Sequence, residues 1–160
     1  MEATLKKLNY KSEAEVLLNN LPEHLDALKE AFGRTTKCVT DIHEAQNITF
    51  ALSFIYTQAE LDALVPQLDE KMVGDAILWF CYPKKSSKKF KCEIDRDHGW
   101  NIMGIHGYEP VRMVALDDDF SALRFRKVSF IKKLTRSEEM ALTEDAKSRT
   151  TGKKAKKMEE

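Results

Sequence analysis

The sequence predicts a single α/β domain: one small sandwich with a mixed, partly parallel sheet and flanking helices. Three observations carry this. Segments with two-residue apolar alternation take turns with segments of helical periodicity along most of the chain. The run Ala76 to Tyr82 is apolar on both faces, as a central strand of a largely parallel sheet is. A chain of 160 residues, 42% hydrophobic and 32% charged, holds enough apolar surface for one packed core. An α+β arrangement is the runner-up, since two pairs of neighbouring strands read as hairpins.

The elements follow in order. Leu5, Leu8 and Tyr10 are spaced for a short helical turn or an extended lead-in. Glu15 to Asn19 reads as a short strand. Pro22 suits the first turn of a helix, Leu25, Leu28 and Phe32 give that helix an apolar face, and Gly33 is its natural stop. Lys37 to Thr40 is a second strand. Ile48, Phe50, Leu52, Phe54 and Tyr56 alternate strictly and mark a third. Thr57 and Glu60 form a capping box, in which the hydroxyl accepts the N–H at position 60 and the carboxylate reaches back. Leu61, Leu64, Val65 and Leu68 then share one helix face, with Pro66 expected to kink or divide it. Gly74 ends that segment and Ala76 to Tyr82 is the central strand, closed by Pro83, which cannot donate to a sheet ladder. Asp95 or Asp97 is placed to cap a helix carrying Trp100 and Met103, stopped near Gly107. Val111 to Leu116 and Phe120 to Val128 form an antiparallel pair around the turn Asp117-Asp118-Asp119.

The domain is expected over residues 1–134, followed by a C-terminal helix over 135–147, capped by Thr135 or Ser137, and a disordered basic tail over 148–160. The formal net charge is zero, which argues against wholesale coating of nucleic acid or membrane. The charge is nevertheless uneven: residues 121–160 hold 12 Lys and Arg against 6 Asp and Glu, and the first 120 hold 14 against 20. Cys38, Cys81 and Cys92 form no CxxC pair, so neither a disulfide framework nor a zinc site is expected. The N-terminal stretch lacks the apolar region of a signal peptide, and the longest apolar run falls far short of a membrane span. The expected location is the cytoplasm.

Four stretches together resemble a known family: Leu5-Lys6-Lys7-Leu8; Asp75-Ala76-Ile77-Leu78-Trp79 running on to Pro83-Lys84; Gly99-Trp100; and Asp118-Asp119-Phe120-Ser121-Ala122-Leu123-Arg124. The chain resembles, over roughly residues 5–126, a bacterial family catalogued only as a domain of unknown function (DUF family 3052). Where that family usually carries tryptophan this chain has Phe120, and its glycine-bearing loop is replaced here by lysines and serines. The resemblance implies a bacterial source and a single domain. It supplies no catalytic residues.

Among residue constellations, the loop Pro83-Lys84-Lys85-Ser86-Ser87-Lys88-Lys89 comes first, because it follows the expected central strand. Ligands of open α/β sheets bind beyond the carboxyl ends of strands. Lys84, Lys85, Ser86 and Ser87 are therefore the candidate ligand-binding residues, suited to an anionic small molecule; a solvated basic loop is the plainer alternative. Neither GxxxxGK[ST] nor GxGxxG is present. Asp117, Asp119 and Ser121 alternate but lack the glycine and glutamate of a calcium loop. Asp118 or Asp119 is also placed to pair with Arg124 or Arg126. His98 and His106 lie eight residues apart, suited to one helix face, without metal-binding partners at recognised spacing. Lys37 and Lys91 flank Cys38 and Cys92 and would lower their thiol pKa. Trp79, Phe80, Tyr82, Phe90 and Trp100 interleave with lysines as in single-strand nucleic-acid platforms, although the first two fall in the apolar strand.

No acid–base pair, nucleophile triad or metal set assembles at recognised spacing, so no catalytic residue, metal or cofactor is assigned. The reading this favours is a non-enzymatic binding or interaction domain. The alternatives are a small-molecule or phosphate-binding α/β domain, possibly an enzyme, and nucleic-acid binding through the basic tail. One test follows from composition alone. Residues 148–160 offer almost no apolar surface to offset ordering entropy. Their deletion is expected to leave the melting temperature of the full chain nearly unchanged, as read by differential scanning fluorimetry.

Overall fold

The computed structural model describes residues 2–131. The expected C-terminal helix and basic tail lie outside these residues, as does the expected domain boundary at 134. The elements are α1 (Glu2–Lys7), β1 (Glu15–Asn19), a 3-10 turn (Glu23–Leu25), α2 (Asp26–Gly33), β2 (Lys37–Val39), β3 (Ile48–Phe54), α3 (Gln58–Lys71), β4 (Met72–Pro83), α4 (Asn101–Ile105), β5 (Tyr108–Ala115), β6 (Phe120–Lys127) and a second 3-10 turn (Val128–Phe130). The strands form one six-stranded sheet in the order β2-β1-β3-β4-β6-β5. The first four run parallel, and β6 is antiparallel to both β4 and β5. This is the α/β fold that the alternation predicts. The α+β runner-up fails at its first hairpin: β2 and β3 do not pair with each other but flank β1 on opposite sides.

Parallel neighbours need crossovers, and right-handed crossovers put the covering elements on opposite faces when the chain reverses its direction across the sheet. Accordingly α1 and α2 cover one face and α3 and α4 the other. Leu28 and Phe32 of α2 pack with Val16, Leu18, Phe54 and Trp79, whereas Leu61, Leu64 and Leu68 of α3 pack with Leu17, Leu78, Phe80 and Phe125. The sequence predicts one core holding Trp79, Leu78, Phe54, Leu64 and Leu28 together. All five are buried, but the sheet separates them into two cores, because consecutive strand residues point to opposite faces.

Three local expectations need correction. Helix α3 runs undivided through Pro66. That residue is exposed, so the missing N–H and the ring lie away from the buried stripe of Leu61, Leu64, Val65 and Leu68. Gly74 does not end the helix; it sits inside β4 with φ +58°, where the register jumps from the Ile48–Met72 pair to the Phe50–Ile77 pair. A kink of this kind favours glycine, which has no Cβ to clash. Finally, α4 spans five residues and its N-terminal residue makes no side-chain cap. Asp95 instead accepts from the Asp97 N–H and His98. His98 and His106 fall on either side of α4 and share no face, since His106 bonds to Asp69 at the end of α3.

Trp79 and Tyr82 are buried rather than presented as a stacking platform. The Trp79 indole donates its N–H to the Leu8 carbonyl at 2.9 Å, which fastens the end of α1 to the middle of the sheet. Replacing it leaves a buried acceptor without a donor and a void beneath α1. Trp79→Phe is expected to cost about 2–4 kcal/mol in urea denaturation, more than the lost volume alone would cost.

Candidate functional site

The chain leaves β1 toward β2 on one side and returns to β3 on the other. Between β1 and β3 the sheet therefore has a topological switch point, where the following connections diverge and leave a crevice beyond the carboxyl ends of the strands. A cleft of about 510 Å³ opens there. Asn19 and Asn20 from the end of β1 line it, with Thr40 just after β2, Phe54 and Ile55 at the end of β3, and Glu60, Leu64 and Gln67 on the facing side of α3.

Local sequence fixes this geometry. Asn20 adopts φ +58°, a left-handed conformation that asparagine tolerates better than most residues. Its side-chain amide donates to the Phe54 carbonyl at 3.2 Å, tying the ends of β1 and β3 across the switch point. The Thr57–Glu60 capping box is present as predicted. One oxygen of Glu60 accepts from the Tyr56 and Thr57 N–H groups, at 3.2 and 3.0 Å, and so the carboxylate is held at the cleft mouth. The Gln67 amide donates to the Ala63 carbonyl one helical turn back. Asp41 follows Thr40 and accepts from the His43 N–H with one carboxylate oxygen.

The loop expected to bind ligand lies on the other side of the carboxyl edge, past β4. The Lys84 ammonium turns inward to donate to the Asp117 carbonyl at 2.8 Å, and its N–H donates to the Asp119 carbonyl. The Ser87 hydroxyl bonds to the Asp119 carboxylate at 2.8 Å and accepts from the Phe90 N–H. Lys85 is exposed and pairs with Asp95 at 2.9 Å. Ser86 is exposed. The structure thus brings Lys84 and Ser87 together on the β5–β6 turn, sets Lys85 apart, and has none of the four lining the switch-point cleft. Asp117 closes the turn by accepting from the N–H groups of Asp119 and Phe120. The expected pairing of Asp118 or Asp119 with an arginine is not seen; Arg126 pairs with Asp75. Burial raises the thiol pKa of Cys38, where Lys29 offsets it only in part, and that of Cys92, so flanking lysines activate neither. Among the described residues no group of three or more His, Cys, Asp and Glu is placed to hold a metal ion.

The residues of the cleft were missed by sequence reasoning because its location depends on strand order. Asn19-Asn20 directly after a strand was the available signal.

No protein-family profile matches the chain, and no curated protein matches it in sequence. Solved structures do. The fold is similar to magnesium protoporphyrin IX methyltransferase from Synechocystis PCC 6803 with bound S-adenosylhomocysteine, at TM-score 0.52 and 11% identity over 79% of this chain and 78% of that one. It is also similar to a SAM-dependent methyltransferase from Aquifex aeolicus, at TM-score 0.51 and 12% identity over 79% of this chain and 89% of that one. The chain therefore has a Rossmann-like methyltransferase fold. This corrects the expectation of a non-enzymatic binding or interaction domain. The small-molecule-binding α/β alternative is the reading that agrees with this fold and with the cleft. No helix among the described residues is long and apolar enough to cross a membrane.

The polar lining of the cleft consists of amides, a hydroxyl and one carboxylate. The turn Asn19-Asn20-Leu21-Pro22 contains no glycine, so a ligand cannot approach its backbone as closely as a glycine-rich phosphate loop allows. Glu23 and Asp26 put negative charge where the following helix begins, which disfavours a pyrophosphate. Among the described residues, no lysine or arginine lines the cleft. Asp41 lies 21 residues after Asn20, and an acidic residue about 20 residues on receives ribose hydroxyls in dinucleotide-binding folds.

Across the carboxyl edge, Asp95 anchors the loop after β4. The hydrogen bond from Lys85 holds its carboxyl well below the usual range; burial opposes this, and His98 and the Asp97 N–H reinforce it. The folded value lies below the unfolded value of about 4. The ionised carboxylate therefore stabilises the fold above that pH, and its contribution fades as pH falls through the folded value. Asp95→Asn is expected to lower stability at pH 7 and to flatten the loss of stability below about pH 4, measured by denaturant unfolding across pH.

Proposed function

We propose that this chain is a methyltransferase-like domain that binds a nucleoside of the S-adenosylmethionine class in the switch-point cleft. The observation that carries the proposal is the coincidence of an uncharged-to-acidic cleft of about 510 Å³ with the switch point of a methyltransferase fold. Asn19 and Asn20 would offer amides to the ligand, Gln67 and Glu60 acceptors to its polar groups, and Asp41, next in the chain to the lining Thr40, a carboxylate to ribose hydroxyls. Phe54 and Leu64 supply apolar wall. When bound, S-adenosylmethionine supplies an electrophilic methyl group on a sulfonium. The chain's own contribution is to hold the nucleoside in a cleft that no cationic side chain among the described residues lines, so that none of these repels the sulfonium. The resemblance to the bacterial DUF family extends the proposal to a bacterial protein, and the unpaired cysteines to a cytoplasmic one.

The test is a binding measurement. S-Adenosylhomocysteine and S-adenosylmethionine are expected to raise the melting temperature and give saturable heats in calorimetry, whereas ATP and NAD are not. Ala63 lies exposed on the wall of the cleft. Ala63→Trp is expected to abolish the response while leaving ligand-free stability within about 0.5 kcal/mol, the range of ordinary surface substitutions. A wild type unaffected by either nucleoside would remove the proposal.

A further inference from the structure

Away from the cleft, the sheet carries a second charged surface. Arg112 of β5 and Arg124 of β6 are partners in the sheet register, and Arg126 lies two residues further along β6. Residues in register, and residues two apart on one strand, share a face. That face is the one covered by α1 and α2. Val114 and Ala122, each two residues from Arg112 and Arg124, belong to the core beneath those helices. At β5 and β6 the face reaches solvent: Arg112 is exposed, and Arg124 and Arg126 are half-buried.

Arg126 has a counter-ion. Its Nε donates to the Asp75 carboxylate at 2.9 Å. Glu109, the register partner of Arg126, is buried. Among the described residues Arg112 and Arg124 form no ion pair, and the Arg124 Nε is buried without a hydrogen-bond acceptor. Burial and the charge of Arg126 push the Arg124 guanidinium below its ordinary pKa; Asp75 opposes this and Arg112 adds to it. Like charges held together at partial burial, with a donor left over, make a surface that gains from an anion. Lys6 and Lys7 are exposed in the last turn of α1. The next residue, Leu8, accepts from Trp79, which is the register partner of Arg124. The positive strip runs from the end of α1 over β4 and β6 to β5, about 10 Å at the usual strand spacing.

We propose that this strip binds the phosphate backbone of a nucleic-acid duplex through Arg112 and Arg124. None of these residues lines the nucleoside cleft. An open face fits a polymer lying across it better than a small ligand, which needs a concave pocket. A width of about 10 Å spans about three successive phosphates at about 3.4 Å of rise along one strand, more than a single phosphate fills. The charge is carried by arginine. Three of the seven arginines of the chain stand here, whereas the loop after β4 uses lysine alone. A guanidinium fork takes two oxygens of one phosphate, which an ammonium does not. Trp79, the aromatic side chain beside Arg124, is buried beneath the end of α1, so bases do not stack on it and a single strand gains nothing over a duplex. Backbone contacts of this kind carry no sequence preference.

The experiment titrates a fluorescently labelled DNA duplex of mixed sequence with the full-length protein and reads anisotropy between about 50 and 200 mM salt. The wild type is expected to bind, with the logarithm of affinity falling linearly against the logarithm of salt. Removing two phosphate contacts in the double variant Arg112→Gln, Arg124→Gln is expected to flatten that slope by about 1.8 and to weaken binding at the lowest salt about tenfold. Arg112→Gln alone changes an exposed side chain and is expected to give about half the change in slope, so the test stands even where the double variant does not fold. A variant with Lys153, Lys154, Lys156 and Lys157 all changed to glutamine separates the strip from the C-terminal lysines, and is expected to keep the arginine-dependent part of the slope. A wild type that does not bind the duplex overturns the proposal, as do arginine variants with unchanged slope and affinity. Loss of all duplex binding in the lysine variant overturns it too, and so does tighter binding of a single strand of the same length.

Discussion

Burial of β4 on both faces is the constraint from which the rest of the architecture follows. From Ala76 to Pro83 every residue is buried. A strand of that kind cannot lie at an edge or face water, so it needs a neighbour on each side and a layer above and below. It finds β3 in parallel on one side and β6 antiparallel on the other. The parallel side requires a crossover helix, which is α3. On the antiparallel side the chain reaches β6 through α4 and β5, and the Asp117 turn between β5 and β6 lies beside the end of β4. The change from parallel to antiparallel pairing at β4 is therefore also the change from helix-covered cleft to turn-bordered rim along the carboxyl edge.

That division explains the distribution of chemistry along the edge. On the helix side, the chain supplies amides and a capped carboxylate, and the cleft between β1 and β3 stays open. On the turn side, Lys84, Ser87, Asp117 and Asp119 satisfy one another across a short loop. Groups bonded in this way set the shape of the rim and hold their neighbours still. His24 is the residue that crosses from one side to the other, since it leaves the end of β1 and meets Asp117.

The order of elements was legible because each signal was local. Alternation marked β3, the capping box marked the start of α3, and the doubly apolar run marked β4. Even the Asp117 turn followed from three aspartates that bond nearby N–H groups. The cleft was not legible, because it depends on β1 lying between β2 and β3, a pairing that no local pattern states. Proximity in sequence to the central strand pointed to Lys84–Ser87, whereas the switch point lies two strands away. Pro66 misled for a related reason: the cost of an interior proline is real, but which face of the helix bears it is settled by tertiary packing.

The absence of glycine after β1 is the feature that bears most on what the cleft accepts. In a phosphate-binding turn, glycine lets an anion sit directly on backbone N–H groups. Here Asn20 takes the left-handed conformation with its side chain retained, and that side chain bridges to Phe54. The turn has exchanged a backbone anion cradle for an amide lining, and Glu23 and Asp26 add negative charge at the start of the next helix. Among the described residues no cation lines this site, so it offers a phosphate no neutralising side chain and a sulfonium none of the repulsion of a lysine-lined loop. The two halves of the edge therefore differ in kind: an open cleft lined by amides on the helix side, and on the turn side a rim whose polar groups bond one another.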